Sequence, residues 1–209
     1  MRVATLLLLF LAVPALAETI DGIAATVDDT VVTISDLDRL AALRIVPRHD
    51  EESDDAYRSR MLQHLIARHL QRRDIRRFAE IEVDPRIVDR EFQSLVARHG
   101  SRDAFDGALR AVGMKEDDVR DLLAMEIEVR TYIDERFAPL VFVPLEDIES
   151  YYHSTWSQYQ REQGLGIPPL SEVRERLRDL LRAEQLSGEV DRWTRQLRSR
   201  ANVDVFVYR

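Results

Sequence analysis

Apolar positions change their spacing several times along this chain, and each change predicts an element. From Ile20 to Ile34 they fall near every second residue. Ile23, Ala25 and Val27 alternate with Ala24 and Thr26, the pair Asp28-Asp29 interrupts, and Val31, Val32 and Ile34 resume. Two short β-rich runs around an Asp pair predict a hairpin. The spacing then turns helical. Ser35 is placed as a helix N-cap, with Asp38 completing a capping-box-like pair. Leu37, Leu40, Ala41 and Ile45 follow, and Pro47 ends the element.

After an acidic stretch, Asp50 to Asp55, which is a linker or a helix start, comes the strongest periodic segment. Tyr57, Met61, Leu62, Leu65, Ile66 and Leu70, running on toward Phe78, form one apolar stripe with arginines on the remaining surface. Asp84-Pro85 is an N-cap followed by proline at the first helical position, and it starts a helix through Val88, Phe92, Leu95 and Val96 that Gly100 closes. Ser101 opens a short helix through Phe105, Leu109 and Val112, stopped at Gly113. Glu116 to Phe137 reads as a longer helix with Val119, Leu122, Val129, Ile133 and Phe137 inward and Asp117 and Asp118 at its positive end. Val143-Pro144 breaks the chain, and Glu146 to about Gln160 resumes helix. Gly164 to Pro169 is a turn or hinge. A final helix from Pro169 to about Arg200 carries Leu170, Val173, Leu177, Leu180, Leu181, Val190, Trp193 and Leu197. Val203 to Tyr208 is β-like. The predicted class is therefore mainly α, with a small N-terminal hairpin and a C-terminal strand expected to pair with it.

The first seventeen residues alter this picture. Arg2 supplies a positive start, Leu6 to Val13 an apolar run, and Pro14-Ala15-Leu16-Ala17 an A-x-A-like end. That is the layout of a signal peptide cut after Ala17. Glu18 and Asp21 stop the run well short of the roughly 20 apolar residues a membrane crossing needs. The remainder is expected not to span a membrane, and a chain of its size buries about 70% of its unfolded surface without staples.

Composition narrows the chemistry. The chain has no Cys, which removes disulfides, thiol catalysis and Cys-type zinc sites. Its formal charge is −8, with Lys115 its sole lysine and acids interleaved among the arginines, so a nucleic-acid partner is not expected. His64 and His69 are five apart, a rotation of about 500° that puts them on different helix faces and suits no zinc pair. No serine sits in G-x-S-x-G or S-x-x-K, and no phosphate-cradling glycine loop occurs. Neither catalytic residues, metal, nucleotide nor cofactor is expected. Tyr151, Tyr152, Trp156 and Tyr159 form the most distinctive set. Tyr152, Trp156 and Tyr159 fall at i, i+4 and i+7, a stripe that either packs as a helix face or grips extended polypeptide. Met61 and Met125 raise the same question of adaptable contact, although Met61 lies within a core-like stripe.

The segment from Ile20 to Asp38, IDGIAATVDDTVVTISDLD, resembles the opening of SurA-type periplasmic chaperones, where a hydrophobic hairpin runs into an S-D-[LV] helix start. Further matches follow in order. Arg60 to Ile66 resembles the family's long-helix signature, and Val83 to Phe92 a helix start in which Asp84-Pro85 replaces the commoner residues. Ser101 to Val129 resembles its helix pair, and Val143 to Ile148 with Tyr151-Tyr152 the boundary where a parvulin prolyl-isomerase domain normally begins. Pro169 to Ala201 is similar to the family's returning C-terminal helix. The hairpin motif also occurs in PpiC-type foldases.

The chain departs from the pattern at Glu149 to Pro168. These twenty residues leave no room for a parvulin domain, which needs ~90. After the leader over 1–17, the resemblance implies a chaperone domain over 18–160, with residues 161–209 completing the same core. It implies a periplasmic holdase for unfolded or partly folded polypeptides, outer-membrane proteins among them. The aromatic set Tyr151, Tyr152, Trp156 and Tyr159, singled out by its spacing, is the candidate for client contact. The rival expectations are a residual prolyl isomerase and a dedicated subunit for one folded partner.

Overall fold

The computed structural model describes residues 21–206. The leader, its cut after Ala17, Ile20 and Tyr208 lie outside the described residues. The hairpin forms as expected from alternation. β1 (Ile23–Val27) and β2 (Thr30–Thr33) pair antiparallel, and their turn places Asp28 at φ 50°, a left-handed conformation that Asp tolerates. At the other end of the chain β3 (Val203–Val205) pairs antiparallel with the free edge of β1, giving the order β2-β1-β3. Backbone bonds from Asp28 to Asn202 (2.8 Å) and from Phe206 to Ala24 (3.0 Å) frame that closure.

The first helix, α1 (Ile34–Leu43), is capped two residues before the expected position. Thr33, not Ser35, is the N-cap: its Oγ1 accepts from the Asp36 amide at 3.2 Å, and Asp36 Oδ2 accepts from the Thr33 amide at 2.9 Å. The helix also stops before Pro47, at Arg44, which takes a left-handed conformation (φ 53°). α2 (Asp54–Phe78) starts inside the acidic stretch, capped by Ser53. Asp84 caps α3 (Pro85–Arg98) and Ser101 caps α4 (Arg102–Ala111), while Gly100 and Gly113 follow those helices at positive φ. α5 spans Glu116–Arg136.

Two apolar clusters organise these elements. Ala24, Val32, Leu37, Leu40, Met61 and Ile66 join the hairpin to α1 and α2, and Leu197, Ala201 and Val203 from the chain's end pack against them. Leu43, Phe92, Leu95, Phe105, Leu123 and Ile127 form the second cluster between α3, α4 and α5. Phe92 and Phe105 meet there edge to face at 5.4 Å. Each such burial contributes roughly 1.5–3 kcal/mol. Leu122 packs against both clusters and marks their seam. Leu123 and Ile127 were not among the inward positions expected of this helix, yet they are buried.

The segment after α5 forms a small third cluster. After a 3-10 turn (Ala138–Leu140), α6 (Leu145–Tyr151) and a π-helical stretch (Tyr152–Trp156) that runs on into α7 (Ser157–Glu162) pack against the first turns of α8 (Leu170–Arg198). Val143, Ile148, Trp156, Val173 and Leu177 are its buried members. α8 does not bury the continuous stripe expected from sequence. Val173 and Leu177 are buried, Leu180 is exposed, and the distal end packs on α2 through Leu197. One helix thus braces two separate cores.

Candidate functional site

The aromatic set lies in the third cluster. Tyr152 and Trp156 stack at 5.4 Å with ring planes 21° apart, and the Tyr152 hydroxyl donates to the Pro168 carbonyl at 2.8 Å, tying the 164–169 turn to the helix. Trp156 is 8% exposed, Tyr151 and Tyr152 are half-buried, and Tyr159 is 55% exposed. The i, i+4, i+7 stripe assumed 3.6 residues per turn. A π turn holds more, so it shifts the phase of everything after it, and Tyr159 leaves the packed face. Around this cluster the chain leaves other apolar groups in solvent, among them Leu140, Phe142, Leu145, Leu165 and Ile167.

A second feature lies over the seam of the two larger cores. Side chains from β2, α1, α2 and α5, with Met114 from the α4–α5 connection, surround a cleft of about 470 Å³. Leu40, Leu65, Met114, Leu122 and Met125 supply its apolar wall, and Asp118, Asp121, Arg39 and Arg72 stand around it. His69 also lines it. Burial pushes the His69 imidazole below its usual range, with Arg72 adding to that and Asp36 opposing it. Met61, by contrast, is buried in the first core.

The cleft keeps its shape because α2 and α5 are fastened by ionic groups in a row. His64, Arg68, Arg72 and Arg76 recur every four residues and so share one helix face. His64 Nε2 lies 3.0 Å and Arg68 Nε 2.8 Å from the two oxygens of Glu126. Arg72 and Arg76 donate to Glu128, at 2.8 and 3.3 Å. Burial raises the Glu126 carboxyl, but the hydrogen bond from His64 and the charge of Arg68 outweigh it, leaving the group below its usual range. Arg68 continues to Gln71 (2.7 Å), and Gln71 to the Thr194 hydroxyl (2.8 Å), so the network reaches α8. Trp193 adds a bond to Asp74 at 3.0 Å and stacks near Tyr132 and Phe137. The arginines expected on solvated faces are in these cases structural. Their four-residue recurrence was a usable signal; its glutamate partners lie more than fifty residues away.

The architecture has a solved counterpart. It is similar to a chain from work on two structurally related SurA-like chaperones of Campylobacter jejuni, the virulence factor PEB4 and the periplasmic protein Cj1289. The TM-score is 0.50 at 12% identity, over 90% of this chain and 100% of that one. No family model and no curated protein matches the sequence. At that identity the likeness is one of fold, and at that level it agrees with the resemblance drawn from the sequence motifs. Among the described residues, no group of three or more His, Asp or Glu is placed to hold a metal ion, and no helix is long and apolar enough to cross a membrane. The other histidine of note, His99, is structural: its ring nitrogens lie 2.9 Å from the carbonyls of Leu95 and Ala42, joining the ends of α3 and α1.

Proposed function

We propose that this protein is a periplasmic holdase-type chaperone, delivered by a leader cleaved after Ala17, that binds unfolded or partly folded polypeptides without isomerase activity. Outer-membrane proteins are the client class that the family resemblance suggests. The observation that carries this reading is the large apolar side chains left in water: Phe142 is 79%, Leu140 74% and Phe78 73% exposed. Large exposed apolar groups mark interaction surfaces when they gather along one region. Leu140, Phe142 and Leu145 are close in sequence at the entry to α6, and Arg182 of α8 bonds to the nearby Ala138 carbonyl at 3.2 Å. Client segments would lie between the N-terminal helices and α8, touching Tyr159 fully and the half-buried Tyr151 and Tyr152 along their edges, with Trp156 as the packed base. The acidic, arginine-studded exterior keeps the complex in solution. With no nucleotide cycle, release follows from weak affinity or transfer to the next partner. Residues 18–160 and 161–209 act as one unit in this reading, joined by α8.

Light scattering from a denatured outer-membrane protein diluted into buffer tests the proposal. Scattering should fall as the protein is added in stoichiometric amounts. The double variant Leu140→Ser, Phe142→Ser should suppress aggregation less while melting at the same temperature. Equal scattering with and without the unmodified protein refutes the reading.

A further inference from the structure

We propose that the cleft over the seam of the two larger cores is a separate subsite, which takes one large apolar side chain from an extended segment carrying Lys or Arg close by. This rests on the holdase reading and gives it a sequence preference. Three observations point to it. The apolar wall is unusually adaptable: of the four methionines in the chain, Met114 and Met125 line this one cleft. Thioethers on flexible stems fit differing shapes and make favourable contacts with aromatic rings. The volume, about 470 Å³, falls within the roughly 300–1,000 Å³ of pockets that enclose small ligands.

The charges around the opening then choose among segments. Arg39 is paired with Asp36 at 2.9 Å, though its Nε has no hydrogen-bond partner, and Arg72 shares Glu128 with Arg76, at 2.8 and 3.3 Å, so each cation already has a carboxylate beside it. On the α5 side, Asp118 and Asp121 are exposed, and among the described residues neither has an ion-pair partner. Asp118 accepts from the Lys115 amide at 2.7 Å as part of the α5 cap, and among the described residues Asp121 is the carboxylate left without a partner. An acidic segment is repelled there, whereas a basic one supplies the missing counter-charge. Position makes this subsite distinct from the aromatic set, since the cleft draws no residue from α6, α7 or α8.

The test uses the methionines as reporters. In protein labelled with ¹³C at methionine methyls, Met114 and Met125 report on the cleft, and Met61, 2% exposed, is the internal control. The probes are two unstructured peptides with a single central Phe, one flanked by lysines and the other by glutamates. The lysine peptide should move the Met114 and Met125 signals and leave Met61 in place. It should bind tighter than its counterpart by roughly two- to fivefold per exposed charge pair. Asp121→Lys should shrink that preference, and Glu184→Lys, on the exposed surface of α8, should not. Met125→Trp, filling the cleft, should weaken binding at least roughly tenfold. Unmoved Met114 and Met125 signals, or equal affinity for the two peptides, overturn the proposal. Signals that shift with protein concentration alone identify a second copy as the occupant and also overturn it. If the same preparation suppresses aggregation while its methyl signals ignore both peptides, the subsite falls and the holdase reading stands. If it moves with the lysine peptide but suppresses nothing, the holdase reading falls instead.

Discussion

Glu126 shows how a single side chain can hold two helices in register. Its carboxylate joins His64 and Arg68 across the α2–α5 interface, and its side chain is 19% exposed, so water screens the pair only in part. Replacing it by Gln keeps the shape and removes the charge. Near neutral pH the Glu126→Gln variant should be less stable by about 1–3 kcal/mol, since the partly buried Arg68 loses its charged acceptor. The cost should depend on pH. The folded carboxyl titrates below its unfolded value of about 4.3. Its contribution is therefore complete above that value and lost as pH falls through the lower, folded one. Urea denaturation of both proteins between pH 7 and pH 3 should show curves that converge in acid. A constant gap throughout would mean that the carboxylate's charge is not what matters. Nothing local in the sequence singles out Glu126 from Glu116 or Glu135, because its role is fixed by a partner on another helix.

At the scale of elements, the middle of α8 offers a cleaner case. Gly188 lies inside the helix, is exposed, and apart from its chain neighbours and the backbone of its own helix has no atom within 4 Å of where a Cβ would stand. It needs neither positive φ nor close approach, so Gly188→Ala should stabilise the protein by up to about 1 kcal/mol. That is a rise in melting temperature of roughly 2–4 °C for a domain of this size. A fall would mean that the helix bends at Ser187-Gly188 in the folded protein. Most elements were legible from their caps: Ser53, Asp84-Pro85 and Ser101 stand where the helices begin. The exception is instructive. Thr33 with Asp36 and Ser35 with Asp38 are both hydroxyl–acid pairs at capping-box spacing, so local sequence does not choose between them. The choice is made by β2, whose pairing of Thr33 with Ile23 ends the strand there. The π turn was not legible either, and it displaced Tyr159 from the expected stripe. The cleft was hidden for a different reason. Leu40, Leu65 and Leu122 each belong to a helical stripe, and only the meeting of three helices leaves them lining an opening.

For the molecule as a whole, the last residues complete the first. β3 covers the free edge of β1, and Leu197, Ala201 and Val203 close the core begun by the hairpin. An isolated two-stranded hairpin is marginal in water, so β1 and β2 depend on α1, α2 and this returning strand. The N-terminal core therefore cannot finish until the whole chain has been made, and folding must pay for a loop of nearly full length before that contact rewards it. Deleting Val203 to Arg209 should remove three cross-strand pairs. At 0.2–1 kcal/mol each they are worth roughly 0.6–3 kcal/mol, which corresponds to a melting temperature lower by about 1–12 °C. Refolding after dilution from urea should slow little, since the strand docks late, while unfolding should quicken. If the truncated chain instead melts and unfolds like the intact one, β3 adds nothing to the core it covers, and α8 alone fastens the end of the chain to its beginning.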